Sequence, residues 1–347
     1  MIQSLSIDAF FRLGTRVPLA DVRTPAEFEQ GHVPGAFNLP LFSNDERVQV
    51  GTTYKQVGRE EAILLGFDLT GPKWSGFIKQ ALAQVPDKKL GVHCWRGGMR
   101  SGAMAWALDL YGFEVYLIEG GYKEYRRWVR QQLAEAYPLW LLGGMTGSGK
   151  TKLLHELRTL GEQVIDLEDL AQHQGSSYGS MNRLVQPSQE QFENNLAEQL
   201  VRLDRQRRVW VEDESLSIGR LSIPPAFWDQ MKKATLIELK RDEAQRVRTL
   251  VEEYGELDKD FLVACTERIH KRLGPLQTKQ ALAAIRENRM ADFIRLVLVY
   301  YDKTYRNGLT RRKADQVLSL EINSTDWASN AHQILTFANT IPIIEQP

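Results

Sequence analysis

The stretch "PLWLLGGMTGSGKT" (138–151) constrains this chain more than any other. An apolar run, a glycine-rich loop and Gly144-x-x-x-x-Gly149-Lys150-Thr151 stand in the order strand, loop, helix, with the helix predicted over 150–161. A loop of this kind gathers backbone N–H groups at a helix N-terminus, and that arrangement cradles phosphate. Lys150 is placed to reach the terminal phosphates and Thr151 to ligate Mg²⁺. The expected phosphate-binding residues are therefore Gly144, Thr146, Gly147, Ser148, Gly149, Lys150 and Thr151. "RVWVEDES" reads as a second apolar strand ending in Glu212, Asp213 and Glu214. Asp213 is the carboxylate expected to complete a metal site with Thr151.

Around this motif the second half alternates strands (163–167, 208–213, 235–240, 316–322) with helices, and carries a largely helical insertion over about 242–306. The first half alternates as well. Strands are expected at 17–23, 36–40, 89–94 and 115–121, with helices at 25–31, 75–85 and 100–112. Both halves thus predict parallel α/β sheets, whose ligand sites lie at the carboxyl ends of strands. The expected division is 1–125, a basic linker helix 126–137, and 138–347.

The strand at 89–94 delivers "HCWRGGMRS", which holds Cys94, one of only two cysteines. Arg96 and Arg100 favour a thiolate, and the glycines let N–H groups converge on it. Such a loop either attacks a substrate or holds an anion above the sulfur. Cys265 lies on a helical pattern and reads as core. Two cysteines make no disulfide framework, and the N-terminus lacks a signal-peptide pattern, so a reducing cytoplasm is expected. No apolar run approaches the ~20 residues that span a bilayer, and no membrane partner is expected. Lys+Arg and Asp+Glu both number 44, so a nucleic-acid reading must rest on local clusters. Arg126, Arg127 and Arg130 stand beside Tyr125 and Trp128, and Arg311 and Arg312 lie in "KTYRNGLTRRK". These are the expected RNA contacts. In "DLEDLAQHQGSSYG", His173, Ser176, Ser177 and Tyr178 are candidate substrate contacts.

"DVRTPAEFEQGHVPGAFNLP" (21–40), followed by the strand-borne cysteine loop, resembles a rhodanese domain. With "HCWRGGMRS", "GGMTGSGKT", "DLEDLAQHQGSSYG" and "WVEDES" in this order, nearly the whole chain resembles the tRNA 2-selenouridine synthase family. The resemblance implies an N-terminal rhodanese-like domain, a C-terminal P-loop α/β domain, and a two-step change at a wobble uridine in the tRNA anticodon arm. Geranyl diphosphate would alkylate the 2-thiouridine sulfur, and selenium from selenophosphate would then replace the S-geranyl group. Cys94 would carry selenium as an anion stabilised by Arg96, Arg100 and the loop amides. The P-loop with Mg²⁺ would hold the diphosphate, and an enzyme that supplies selenophosphate is an expected partner.

Cys-x₅-Arg is also the spacing of cysteine-dependent phosphatases, so a phosphatase joined to a P-loop kinase is a competing reading. A nucleotide-regulated binding module is a third. The intact Cys94 and the intact P-loop speak against the last.

Overall fold

The computed structural model describes residues 1–13, 17–174, 178 and 185–341. It divides into two compact units, Met1–Gln132 with Glu193–Glu198, and Leu133–Phe192 with Gln199–Pro347.

In the first unit, strands β1 (Ile2–Leu5), β2 (Leu19–Asp21), β3 (Phe37–Asn38), β4 (Lys89–His93) and β5 (Glu114–Ile118) form one sheet in the order β1-β5-β4-β2-β3. Every pair in it is parallel. The central strand β4 is buried on both faces, which is why its middle, Leu90-Gly91-Val92, does not alternate with polar residues. Leu90 and Val92 join Ala20, Met104, Leu108 and Val115 in the core. Helix Pro25–Gln30 opens with a full capping box between Thr24 and Glu27, and Ser43 and Glu46 form another at helix Asn44–Gln56. Helix Arg59–Thr70 follows.

The second unit holds β6 (Leu139–Gly144), β7 (Gln163–Ile165), β8 (Val209–Glu212), the short antiparallel pair β9 (Ser217–Ile218) and β10 (Leu221–Ser222), β11 (Thr235–Lys240) and β12 (Val317–Glu321). Its main sheet runs β12-β11-β6-β8-β7, again parallel throughout. Helices Glu243–Tyr254, Lys259–Arg268, Pro275–Arg286 and Met290–Leu309 supply a separate apolar cluster around Leu262, Cys265, Ala281 and Phe293. Cys265 is fully buried there, as core. The α/β class and the helical region of the second half thus appear as the sequence predicts.

The two motifs occupy equivalent places. Cys94 leaves the carboxyl end of β4, the middle strand of its sheet, and the glycine loop leaves β6, the middle strand of the other. No helix among the described residues is long and apolar enough to cross a membrane.

Candidate active sites

Cys94 directly follows β4, and helix Met99–Leu110 begins five residues later, so the chain must turn tightly around the sulfur. The Gly98 N–H donates to Sγ at 3.3 Å and the Ser101 hydroxyl at 3.2 Å. Burial alone would push the thiol up. The Ser101 hydroxyl and the N–H groups of Ser101, Arg96 and Gly98 outweigh it and lower the thiol below its ordinary value. The thiol thus ionises more readily than an ordinary cysteine although only 4% of Cys94 is exposed. Ser101, which the sequence reading passes over, is its one side-chain donor among the described residues.

The loop is fixed from behind by the N-terminus of helix Gly121–Ala134. Tyr122 N–H donates to the Cys94 carbonyl at 2.8 Å and Lys123 N–H to that of Trp95 at 2.9 Å. Gly121 makes this approach achievable. Its φ is +58°, and a Cβ there would lie 2.3 Å from the Cys94 carbonyl oxygen.

Arg100 departs from its expected role. Its guanidinium forms a two-pronged pair with Glu27, at 2.7 and 3.2 Å, instead of bonding the sulfur. Burial opposes ionisation of Glu27, yet Arg100, the Thr24 N–H and Arg23 hold it below the usual carboxylate range. The N–H groups and Ser101 satisfy the sulfur, while Arg96, Arg100 and Arg47 line a cavity of about 550 Å³ that opens on it. The motif 21–40 proves mainly structural. Arg23 is buried, paired with Asp21 at 2.6 Å, and lies 3.6 Å from the Tyr122 ring centroid. Asn38 donates to the carbonyls of Asp21 and Arg23.

In the second unit the glycine loop joins β6 to helix Lys150–Thr159. Lys150 Nζ donates to the Gly144 carbonyl at 3.1 Å, and the Thr151 hydroxyl donates to Glu168 at 3.1 Å. Gly149 has φ +83°, and a Cβ on it would meet the Trp327 ring at 2.3 Å. Ser148 is buried with its hydroxyl unpaired. Arg246 donates to the Thr146 carbonyl and is locked by a two-pronged pair with Asp302. A small cleft of about 170 Å³ is lined by Thr146, Gly147, Lys150, Thr151, Glu168 and Glu214, among others.

The acidic partner of this loop differs from the expected one. Asp213 is taken by Arg312 at 2.6 Å, while Glu168 and Glu214 both line the cleft. Burial, then the neighbouring Glu168, pushes Glu214 up to about 8, and burial raises Glu168 as well. Glu212 is also raised by burial and accepts from the Glu168 N–H, with its other oxygen unpaired. No group of three or more His, Cys, Asp or Glu side chains poised around a metal occurs among the described residues. A hydroxyl and one or two carboxylates beside a phosphate loop are nonetheless the hard oxygen donors that Mg²⁺ takes together with substrate phosphates. Thr151 with Glu168 and Glu214 fits that ion. Glu168 is the residue the sequence reading missed, although it stands in "DLEDLA".

Other expected contacts turn inward. Tyr178 is fully buried, bonded to Thr266 and packed against Tyr254 and Phe293, so it belongs to the core and not to a substrate surface. His173 is lowered by burial, with Nδ1 unpaired. Ser176 and Ser177 lie outside the described residues. Arg126 pairs with Glu193 and Asn194, and Arg312 is held by Asp213, which removes both from the expected RNA surface. Tyr125 and Trp128 are core, with the Trp128 indole N–H donating to Asp8. Arg127, Arg130 and Arg311 remain exposed.

Fold and sites together define a rhodanese-like thiol domain followed on the same chain by a P-loop domain. Residues 11–127 match the rhodanese-like domain family, and residues 137–333 match the family described as the tRNA 2-selenouridine synthase AAA domain. A tRNA 2-selenouridine synthase of Hydrogenovibrio crunogenus is 37% identical over 330 residues, covering 83% of this chain and 88% of that one. One from Nitrosomonas eutropha is 32% identical over 373 residues, covering 90% and 93%. One from Shewanella denitrificans is 41% identical over 250 residues, covering 68% of this chain and 65% of that one. The chain belongs to the tRNA 2-selenouridine synthase family.

Proposed function

We propose that this chain converts 2-thiouridine at the wobble position of a tRNA anticodon arm into 2-selenouridine by two successive displacements. The observation that carries this reading is the pairing, on one chain, of a thiolate-favouring loop with an acid-lined phosphate loop.

In the first displacement the thiocarbonyl sulfur attacks C1 of geranyl diphosphate, the C–O bond breaks and diphosphate leaves. Lys150 and the loop amides receive the growing negative charge. Thr151, Glu168 and Glu214 would hold Mg²⁺, which would supply further neutralisation of that charge when bound. Alkylation turns a poor leaving group into one that departs as a thiol.

In the second displacement selenium from selenophosphate replaces the S-geranyl group at C2, and geranyl thiolate leaves and is protonated. Cys94 carries the selenium as Cys–S–Se⁻, and the terminal selenium attacks C2. Loading the selenide-level selenium onto sulfur is a two-electron oxidation: a small-molecule disulfide takes the electrons and becomes two thiols, while water cleaves the P–Se bond and phosphate leaves. Two thiols then cleave the S–Se bond that joins Cys94 to the product, which frees 2-selenouridine and the Cys94 thiol and restores the disulfide. An enzyme making selenophosphate is the implied supplier, and the reaction belongs to the compartment where tRNA is modified, the cytoplasm.

The test is incubation with a 2-thiouridine anticodon stem-loop RNA and geranyl diphosphate, with and without selenophosphate, followed by nucleoside analysis. Cys94→Ser should abolish selenation and spare geranylation. Lys150→Ala should slow geranylation by roughly 10²–10³-fold and leave pre-geranylated RNA open to selenation. Wild-type selenation by Cys94→Ser would remove the thiol from the reaction.

A further inference from the structure

A second, larger cavity lies in the first unit, about 760 Å³ in volume and lined largely by apolar side chains. Helices Asn44–Gln56 and Arg59–Thr70 wall it, with Trp74 and Ala103 on the remaining sides. Its volume falls within the roughly 300–1,000 Å³ of small-molecule sites. Three of its large apolar side chains are left open to water: Val48 is 67% exposed, Phe67 61% and Met99 59%. Apolar surface concentrated in one concave place marks a binding site rather than ordinary surface.

The groove is continuous with the thiol. Arg47, Arg96, Met99 and Arg100 line both it and the cavity that holds Cys94. A ligand filling both would therefore have a hydrocarbon part in the groove, a reacting centre at the sulfur, and negative charge beside Arg47 and Arg96 at the junction, where Arg100 is paired with Glu27. The proposed second displacement presents that combination. The carbon under attack lies beside the selenium on Cys94, the leaving sulfur is one bond further, and the chain on that sulfur must leave the thiol cavity at once. Phosphates flank the base on either side.

We propose that this groove binds the ten-carbon prenyl chain of the S-alkylated wobble nucleotide and so positions C2 over Cys94. The proposal rests on the two-displacement reading above. Each methylene moved from water into the groove strengthens binding by roughly fourfold. The preference is built on the RNA-borne chain and not on free geranyl diphosphate, because the attacked carbon must lie at the thiol.

The experiment uses the full chain and three anticodon stem-loop RNAs carrying 2-thiouridine, its S-methyl form or its S-geranyl form. Binding is followed by fluorescence anisotropy, without selenophosphate. The wild type should bind S-geranyl RNA at least about tenfold more tightly than S-methyl RNA. Phe67→Asp and Val48→Asp, both at exposed positions, should each cut that ratio to below about threefold, and Phe67→Leu should keep it. An unchanged ratio in both aspartate variants overturns the proposal. So does displacement of S-geranyl RNA from the wild type by geranyl diphosphate but not by S-geranyl-2-thiouridine nucleoside. Adding selenophosphate to the same complexes separates the two claims. A chain-length preference without selenation contradicts the reaction and leaves the groove, whereas selenation at equal rates in wild type and variants contradicts the groove and leaves the reaction.

Discussion

At the scale of single residues, the two cysteines are set apart by what surrounds each sulfur. Cys94 receives hydrogen bonds from the Ser101 hydroxyl and the Gly98 N–H, and its thiol is lowered, whereas Cys265 sits in an apolar cluster and is raised by burial. Alkylation by iodoacetamide, followed peptide by peptide, should therefore label Cys94 first, with a rate midpoint below 9.0, the ordinary thiol value. Ser101→Ala removes a bond worth about 0.5–1.5 kcal/mol, so the midpoint should rise by up to about one pH unit. The sign follows from the charge: the hydroxyl stabilises the thiolate and not the thiol. A midpoint unmoved in Ser101→Ala would assign the low value to the backbone alone. Residue identities at this site are readable in "HCWRGGMRS", but roles are only partly so. Arg100 can be seen to be near the thiol, but its engagement by Glu27 depends on a helix more than sixty residues earlier. The sequence favours Asp213 over Glu168 and Glu214 for the same kind of reason, since only the fold shows Arg312 occupying it.

At the scale of elements, a parallel strand covered on both faces is legible as a continuous apolar run, as "LWLLGG" is. Helices Asn44–Gln56 and Arg59–Thr70 are not. Their apolar residues Val48, Tyr54, Leu64 and Phe67 are exposed instead of forming one core-facing stripe, so no helical period announces them. The part of the sequence that hides its structure is the part that walls the proposed prenyl groove. The helix that opens at Gly121 bears a different duty, holding the thiol loop from behind. Gly121→Ala should destabilise the first unit by more than the about 1–2 kcal/mol of a left-handed backbone residue, because the new Cβ also meets the Cys94 carbonyl. Thermal unfolding and Cys94 alkylation should both change. A variant with the wild-type melting temperature and thiol reactivity would show that the loop does not depend on this approach.

For the molecule as a whole, zero net charge conceals an uneven surface, because several basic side chains answer buried or half-buried acids. Arg126, Arg208 and Arg312 are spent on Glu193, Glu162 and Asp213. Of the basic residues expected to meet RNA, Arg127, Arg130 and Arg311 are exposed, and they are the ones to test. Arg127→Glu with Arg130→Glu should weaken anticodon-arm binding and lower the slope of log affinity against log salt by about 0.7–0.9 for each phosphate that is no longer neutralised. Equal affinity at low salt in the double variant would take this helix out of the RNA site.

Helix Gln189–Val201 contributes its middle residues, Glu193–Glu198, to the first unit. Asn194 is fully buried there, donating to the His32 carbonyl and to the Tyr122 hydroxyl. Tyr122 is the same residue whose N–H holds the Cys94 carbonyl. A growing chain emerges from the ribosome at roughly 5–20 residues per second, so several seconds separate the last residue of the continuous N-terminal segment from the arrival of Asn194. During that interval the nascent polypeptide carries its thiol loop without the side chain that completes the support behind it.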